Sequence, residues 1–220
     1  MNNRKFCYFV ATLCMCMCYT ASAQSTFNVH VGFSPAQKIE SQEIRVILTE
    51  GQCHGAFSPT QQSSGITAGL GVTHSLKSGF FMRAEFQYSF GKTTYEMRDI
   101  ALVSERLATL NYNKSNHILT LPLSIGVKLG SFRVTSGVNA NAIVHSTTTL
   151  TQLSNFKDGS RSMYLGWHAG LGYDIGKIGL EVRYSQDFGN YGQGYSIGEK
   201  ELVFYGNRLR WTALIKYYFG

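Results

Sequence analysis

The chain has 220 residues, of which 44% are apolar and 15% charged, with a formal net charge of +7 and five cysteines. No clustered Lys/Arg run, zinc-finger spacing or RNP-like motif accompanies the basic excess, which excludes nucleic acid as a partner. Beyond the first 23 residues no apolar run reaches the roughly 20 residues of a membrane-spanning helix, which leaves a soluble β protein or a membrane β-barrel.

The chain opens as an export leader. Arg4 and Lys5 are followed by an apolar run from Phe6 to Tyr19 and by the small-residue site Ala21–Ser22–Ala23. Cleavage after Ala23 is expected to leave 197 residues (220 less 23), with 18 basic and 13 acidic residues and a net charge of +5. Cys7, Cys14, Cys16 and Cys18 depart with the leader, so the mature chain keeps only Cys53 and cannot form an internal disulfide. Cys14, Cys16 and Cys18 sit among Met and Leu rather than after a lipoprotein box. Cys53 beside His54 lacks the further ligands a metal site requires.

Eight segments then alternate apolar and polar residues with period two, the strand period. They are Thr26–Ser34, Gly65–Ser75, Phe80–Gly91, Ile118–Leu129, Phe132–His145, Met163–Asp174, Ile178–Ser185 and Arg208–Phe219. Most approach the 9–11 residues of a tilted membrane strand. Their connections differ in length. Lys77–Ser78–Gly79, Gly130–Ser131 and Ile175–Gly176–Lys177 are tight, while Pro35–Ser64, Lys92–His117, Ser146–Ser162 and Gln186–Asn207 are long. Short turns at one end and long loops at the other are the layout of an outer-membrane barrel. In the first long loop, Ile44–Leu48 is strand-like, and is expected either to extend the barrel or to offer an edge to a partner.

The charges decide which solvent each face meets. The apolar phase carries no Asp, Glu, Lys or Arg, whereas the other holds Arg83, Glu85, Lys128, Arg133, Asp174, Glu181, Arg183, Arg210 and Lys216. One mis-phased charge facing lipid near the midplane costs roughly 2–4 kcal/mol. A soluble lipocalin-like barrel would show the same alternation with the faces reversed. Glycine argues against that alternative, because Gly32, Gly69, Gly71, Gly126, Gly137, Gly166, Gly170, Gly172 and Gly179 share the charged phase. An eight-stranded lumen is only wide enough for its own side chains, and inward glycines make room for long ones. Aromatics agree: Phe27, Phe80, Phe132, Tyr173, Tyr217 and Phe219 gather at the short-turn ends, and Tyr88, Phe90, Tyr184 and Trp211 near the long loops, as two interfacial girdles.

An inward charged phase predicts an ion-pair network joining Arg83, Arg183 and Arg210 to Glu85 and Glu181. Such a network plugs the lumen; aqueous channels use about 16 or more strands. Candidates for catalysis at the rim are His117, His145, Ser146 and Asp187. By parity His117 and Ser146 face lipid and His145 faces the lumen, so no nucleophile meets a base. His30 and His168 belong to the inward phase, as members of the network. There is no His-Glu-x-x-His helix or phosphate loop. No catalytic, cofactor-binding or metal-binding residue and no cofactor is assigned, and the loop-binding residues are unknown.

Three stretches carry a resemblance to a known family. Leu119–Thr120–Leu121–Pro122–Leu123, running to Lys128–Leu129–Gly130, is one. Glu181–Val182–Arg183–Tyr184–Ser185, running to Phe188–Gly189–Asn190, is the second, and the aromatic C-terminal strand is the third. Together they resemble the PorT-like outer membrane protein β-barrel domain family, across essentially the whole mature chain, although Gly220 makes the terminal aromatic penultimate. The resemblance implies recognition by barrel-assembly machinery and admits a role in a protein-secretion apparatus. It implies no catalytic residues. The expected architecture is an all-β, eight-stranded, antiparallel up-and-down transmembrane barrel of the bacterial outer membrane, with 1–23 as cleavable leader and 24–220 as barrel domain. Its expected role is structural or interactive through the extracellular loops, with membrane lipid or lipopolysaccharide around it and a protein partner at the loops. The competing roles are a secretion component, a rim hydrolase or acyltransferase, and a soluble ligand-binding barrel.

Overall fold

All eight alternating segments form strands, and hydrogen-bonded pairing closes them into a ring. The computed structural model describes residues 25–39, 44–47, 54–99, 109–152, 156–158, 163–197 and 200–219. The leader, Leu48 and Cys53 lie outside the described residues. The strands in chain order are β1 (Ser25–Ser34), β2 (Gln37–Lys38), β3 (Ile44–Ile47), β4 (His54–Gln62), β5 (Gly65–Ser75) and β6 (Phe80–Asp99). They continue as β7 (Thr109–Leu129), β8 (Phe132–Thr148), β9 (Phe156–Asp158), β10 (Met163–Ile175), β11 (Ile178–Ile197) and β12 (Lys200–Phe219). The wall runs β1–β5–β6–β7–β8–β10–β11–β12, each pair antiparallel, and β12 returns to β1 with Phe27 opposite Phe219 and Phe33 opposite Ala213. Closure leaves none of these eight with an open edge within the membrane band, the condition for a sheet to survive in lipid.

The burial pattern assigns the faces. Leu171, Ile66 and Ile215 are 66%, 65% and 56% exposed, whereas Arg83, Glu85 and Lys216 are 1%, 2% and 0% exposed. The molecule is apolar outside and charged inside, the reverse of a lipocalin-like barrel. Both girdles form. At the short-turn end Phe132 packs edge-on against Tyr173 at 4.9 Å and Tyr217 against Phe219 at 5.0 Å. Near the long loops Tyr184 lies between Trp167 at 5.6 Å and Trp211 at 5.0 Å.

The tight connections follow from glycine. Leu129 pairs with Phe132 and Ile175 with Ile178, leaving the two-residue loops Gly130–Ser131 and Gly176–Lys177. Each glycine has positive φ, 63° and 59°, in the first loop position, where a type II′ hairpin turn demands it. The third connection, Lys77–Gly79, is instead a single 3-10 turn with Ser78 at φ 62°.

The strands outrun the alternation on the loop side. β6, β7, β11 and β12 have 20, 21, 20 and 20 residues, about twice what a tilted crossing needs, so much of the sequence expected as loop at 92–117 and 186–207 is strand. β4 continues the line of β5 along the upper half of β6, from Gln62 opposite Thr93 to Gly55 opposite Asp99. β3 then pairs with β4, so Ile44–Ile47 does extend the sheet above the membrane, and β9 adds to the top of β11. The result is a barrel with a raised β rim.

Candidate functional site

Above all else the lumen is packed with charge, and register explains how it fits. Each long inward side chain has a glycine or a small residue across a ladder. Glu85 is opposite Gly71, Glu181 and Arg133 are opposite Gly172, Arg183 is opposite Gly170, and Lys216 is opposite Gly179. Arg83 stands between Thr73 and Ser124. Filled glycines would collide: a Cβ at Gly179 would lie 2.8 Å from Arg133 Nη2 and 3.0 Å from Asp174 Oδ1.

Two carboxylates organise the cluster. Glu181 Oε2 accepts from Arg83 Nη1 at 2.8 Å and lies 3.0 Å from Lys216 Nζ, while its Oε1 accepts from Arg183 Nε and Nη2 at 3.0 and 2.7 Å. Glu85 Oε2 accepts from Arg183 Nη2 at 2.7 Å and from Gln87 Nε2 at 3.2 Å, and Lys216 Nζ donates to its Oε1. Arg183 therefore bridges the two acids. Taking ions out of water costs several kcal/mol each, and only such multiple pairing offsets it. Toward the short turns Arg133 Nε lies 2.9 Å from Asp174 Oδ1, and the half-exposed Lys128 lies 3.3 Å from Asp174 Oδ2.

The expected network forms around Arg83, Glu85, Glu181 and Arg183, with two changes of membership. Lys216 is a full member, placed by Gly179 on one side and His30 on the other. Arg210 is not: it sits opposite Ser185, toward the loops, and among the described residues no ion pair joins it to the cluster. The two histidines are neighbours of the network. His168 Nε2 is 2.9 Å from Ser124 Oγ, and His30 Nδ1 is 3.2 Å from Asn28 Oδ1.

Two chambers flank the charged layer. The one toward the loops has a volume of about 40 Å³ and is polar, bordered by Gln87, Asn139, Asn141, Asp187 and Arg210. The one toward the short turns is about 230 Å³, bordered by Arg83, Arg133, Lys128, Lys177, Asp174 and Tyr218. Arg183 lines the first and Arg83 the second, so the ion-paired layer is the partition between them.

The rim candidates divide differently from parity. β8 carries a bulge at Val144, because His117 pairs with His145 while Ile118 pairs with Ile143. A bulge adds one residue and reverses the phase beyond it. His145 is thus outward, not in the lumen, with its ring 5.4 Å from that of His117. His117 also hydrogen-bonds Tyr88 and packs on Phe90 at 5.0 Å, while His145 Nε2 bonds Thr147 at 3.2 Å. Ser146 turns inward opposite Asn116, and its buried hydroxyl meets neither histidine. Asp187, in the lumen, accepts from Asn141 Nδ2 at 3.3 Å. These four residues serve two faces. Sequence alone showed the bulge only as the adjacent apolar pair Ile143–Val144. Among the described residues no group of three or more His, Cys, Asp or Glu is placed to hold a metal ion.

Comparison with known families matches the chain to the family described as outer membrane protein beta-barrel domain, over residues 21–191. Among solved structures the chain is similar to the Yersinia pestis outer membrane protein Ail, with 10% identity, 89% of this chain and 100% of that one covered, and a TM-score of 0.39. It is similar to the outer membrane protease OmpT of Escherichia coli, with 10% identity, coverage of 91% and 99%, and a TM-score of 0.41. It is also similar to the outer membrane protein AlkL, with 15% identity, coverage of 89% and 90%, and a TM-score of 0.39. No curated protein matches the chain.

Proposed function

The chain belongs to the outer membrane protein beta-barrel domain family and so resides in the bacterial outer membrane, and from that premise we propose that it is a sealed anchor whose extracellular β rim is the working part. The single observation that carries this reading is the layer of Arg83, Glu85, Glu181, Arg183 and Lys216 standing between the two chambers. A lumen this size has no bypass around filled side chains. In barrels of this layout the short turns face the periplasm and the long connections face outward. The elongated β6, β7, β11 and β12, with β3, β4 and β9 added to them, therefore stand at the cell surface as a sheet for a protein or lipopolysaccharide partner. The aromatic girdles and the +5 charge of the expected mature chain suit an anionic lipid surround. The terminal strand β12 is the segment for assembly machinery to read.

Reconstitution into planar bilayers tests the sealed lumen. The expected record is a flat baseline at 100 mV, and reproducible unitary steps from the purified protein would overturn it.

A PorT-like secretion role is the second reading, favoured by the resemblance of Leu121–Pro122–Leu123 and Glu181–Arg183–Tyr184. Those residues have architectural work of their own: Pro122 is buried on the inward phase opposite Asn139, Glu181 and Arg183 build the ion-paired layer, and Tyr184 belongs to the outer girdle. Deleting the gene and profiling secreted proteins and surface lipids separates the readings. Loss of a defined set of exported proteins would favour secretion over anchoring. A rim enzyme has the least support, since Ser146 and Asp187 face the lumen while His117 and His145 face out, and the proposed role contains no catalytic step.

A further inference from the structure

We infer that the periplasmic chamber is a binding site for an oxyanion, a phosphate or carboxylate group held by Arg133 and Tyr218. The first ground is charge. Among the described residues of the charged layer and the short-turn chamber, Arg83, Arg133, Arg183 and Lys216 pair with Glu85, Glu181 and Asp174, four cations with three anions, while Asp187 lies toward the loops with Arg210. All four cations are 4% exposed or less. Buried charge requires compensation, and Lys128, which shares Asp174 with Arg133, widens the imbalance at this end.

The second ground is unused donors. Arg133 Nε, Nη1 and Nη2 are buried and none makes a hydrogen bond: Nε lies 2.9 Å from Asp174 Oδ1, itself unbonded because the approach is misaligned, Nη1 lies 3.8 Å from Glu181 Oε2, and Nη2 is left for a further acceptor. The buried hydroxyl of Tyr218 is likewise without a partner. The two groups are neighbours, with the Arg133 guanidinium 5.4 Å from the centre of the Tyr218 ring. Orphan donors this concentrated need an acceptor.

The third ground is space. Both residues border the 230 Å³ chamber, whose remaining charged wall is Arg83, Lys128, Lys177 and the single acid Asp174. A water molecule occupies about 30 Å³ of liquid, so the chamber takes a group of several heavy atoms. A planar guanidinium fork with a phenol beside it and lysines at the mouth matches an oxygen-bearing anion, which it can grip through two oxygens at once. The short turns lie at the level of the inner-leaflet headgroups, so the group can come from free phosphate or from a phospholipid.

The test is thermal unfolding of the refolded barrel in dodecyl maltoside, a phosphate-free detergent, titrated with inorganic phosphate against sodium chloride at constant ionic strength. The expected result is a saturable rise in Tm with phosphate alone. Arg133→Met should weaken the apparent phosphate affinity about tenfold or more, losing the fork. Asp174→Asn should strengthen it, because a competing carboxylate is gone; a purely structural Asp174 would not do that. Should Arg133→Met fail to fold, Lys177→Ala in the exposed turn keeps the test open and should weaken the response by about threefold. A parallel titration with short-chain phosphatidylglycerol and with a phosphate-free glycolipid assigns the source. A response to the phospholipid but not to inorganic phosphate identifies a headgroup site, and a response to both identifies a site open to free anions. The inference is overturned if neither phosphate source raises Tm above chloride, or if Lys177→Ala and Arg133→Met respond as the parent does.

Discussion

Glu181 stands directly across the β10–β11 ladder from Gly172, and the side chain that Gly172 lacks is the space its neighbours fill. A Cβ at position 172 would lie 3.0 Å from Arg133 Nη2 and 3.1 Å from the Leu180 carbonyl. Gly172→Val should therefore destabilise the barrel by overpacking, by about 1–3 kcal/mol. The readout is the temperature at which the compact, heat-modifiable band is lost on an unboiled gel. Gly91→Val is the control, because nothing lies within 4 Å of a Cβ there. Equal shifts for the two variants would mean that the inward glycines are not reserving space.

The two acids should behave as a unit. Glu181→Leu leaves Arg83, Arg183 and Lys216 to share Glu85, and breaking a buried pair costs about 3–5 kcal/mol. Adding Arg183→Met removes the cation that bridges both acids, so the double variant should lose much less than the sum of the single losses. A double-mutant cycle on Tm in detergent reads this directly. Additive losses would place Glu181 and Arg183 in separate environments.

The membrane band of this fold was legible in the sequence because two solvents imposed it. Between the girdles, lipid forbids charge on one face and the narrow lumen demands glycine opposite long side chains, so the phase of Leu209–Phe219 or Phe80–Phe90 is written residue by residue. Above the girdles both constraints lapse. Lys92–Thr93–Thr94–Tyr95–Glu96 has no clean alternation, yet it continues β6, since ladder pairing asks only for backbone groups. Membership of the ion cluster was harder still. Arg210 and Lys216 share a phase, and only the register that sets Lys216 beside Gly179 and Arg210 beside Ser185 separates them. Parity likewise failed at His145, because a single bulged residue inverts it.

The outward face makes a prediction that depends on depth. Leu70, in the middle of β5 opposite Val29 and Phe86, is 58% exposed to lipid, and Leu129, 63% exposed, ends β7 at a short turn. Leu70→Arg should cost roughly 2–4 kcal/mol, and Leu129→Arg no more than about 1 kcal/mol. Reversible folding into lipid vesicles, followed by tryptophan fluorescence, measures both. A soluble barrel would tolerate the two alike, so equal and small costs would contradict the membrane assignment.

The rim and the barrel should be separable. The ion-paired layer, the glycines that accommodate it and both girdles lie below Lys92 on β6 and from Ile118 onward on β7, whereas the ladder from Lys92–Ser115 to Arg98–Thr109 stands above them. Replacing residues 91–116 by a two-residue Asn-Gly turn between the paired Phe90 and His117 removes that part of the rim, and β4 loses its partner on β6. The membrane ladders, from Phe80 opposite Val127 to Phe90 opposite His117, remain. The shortened protein should still fold into detergent and shift on heating, with a Tm within about 5 °C of the parent, which for a protein of this size corresponds to only one or two kcal/mol. A variant that fails to assemble would show that the rim helps hold the barrel closed. One that folds but loses its surface partner in cells would locate the proposed activity in the upper β6–β7 ribbon.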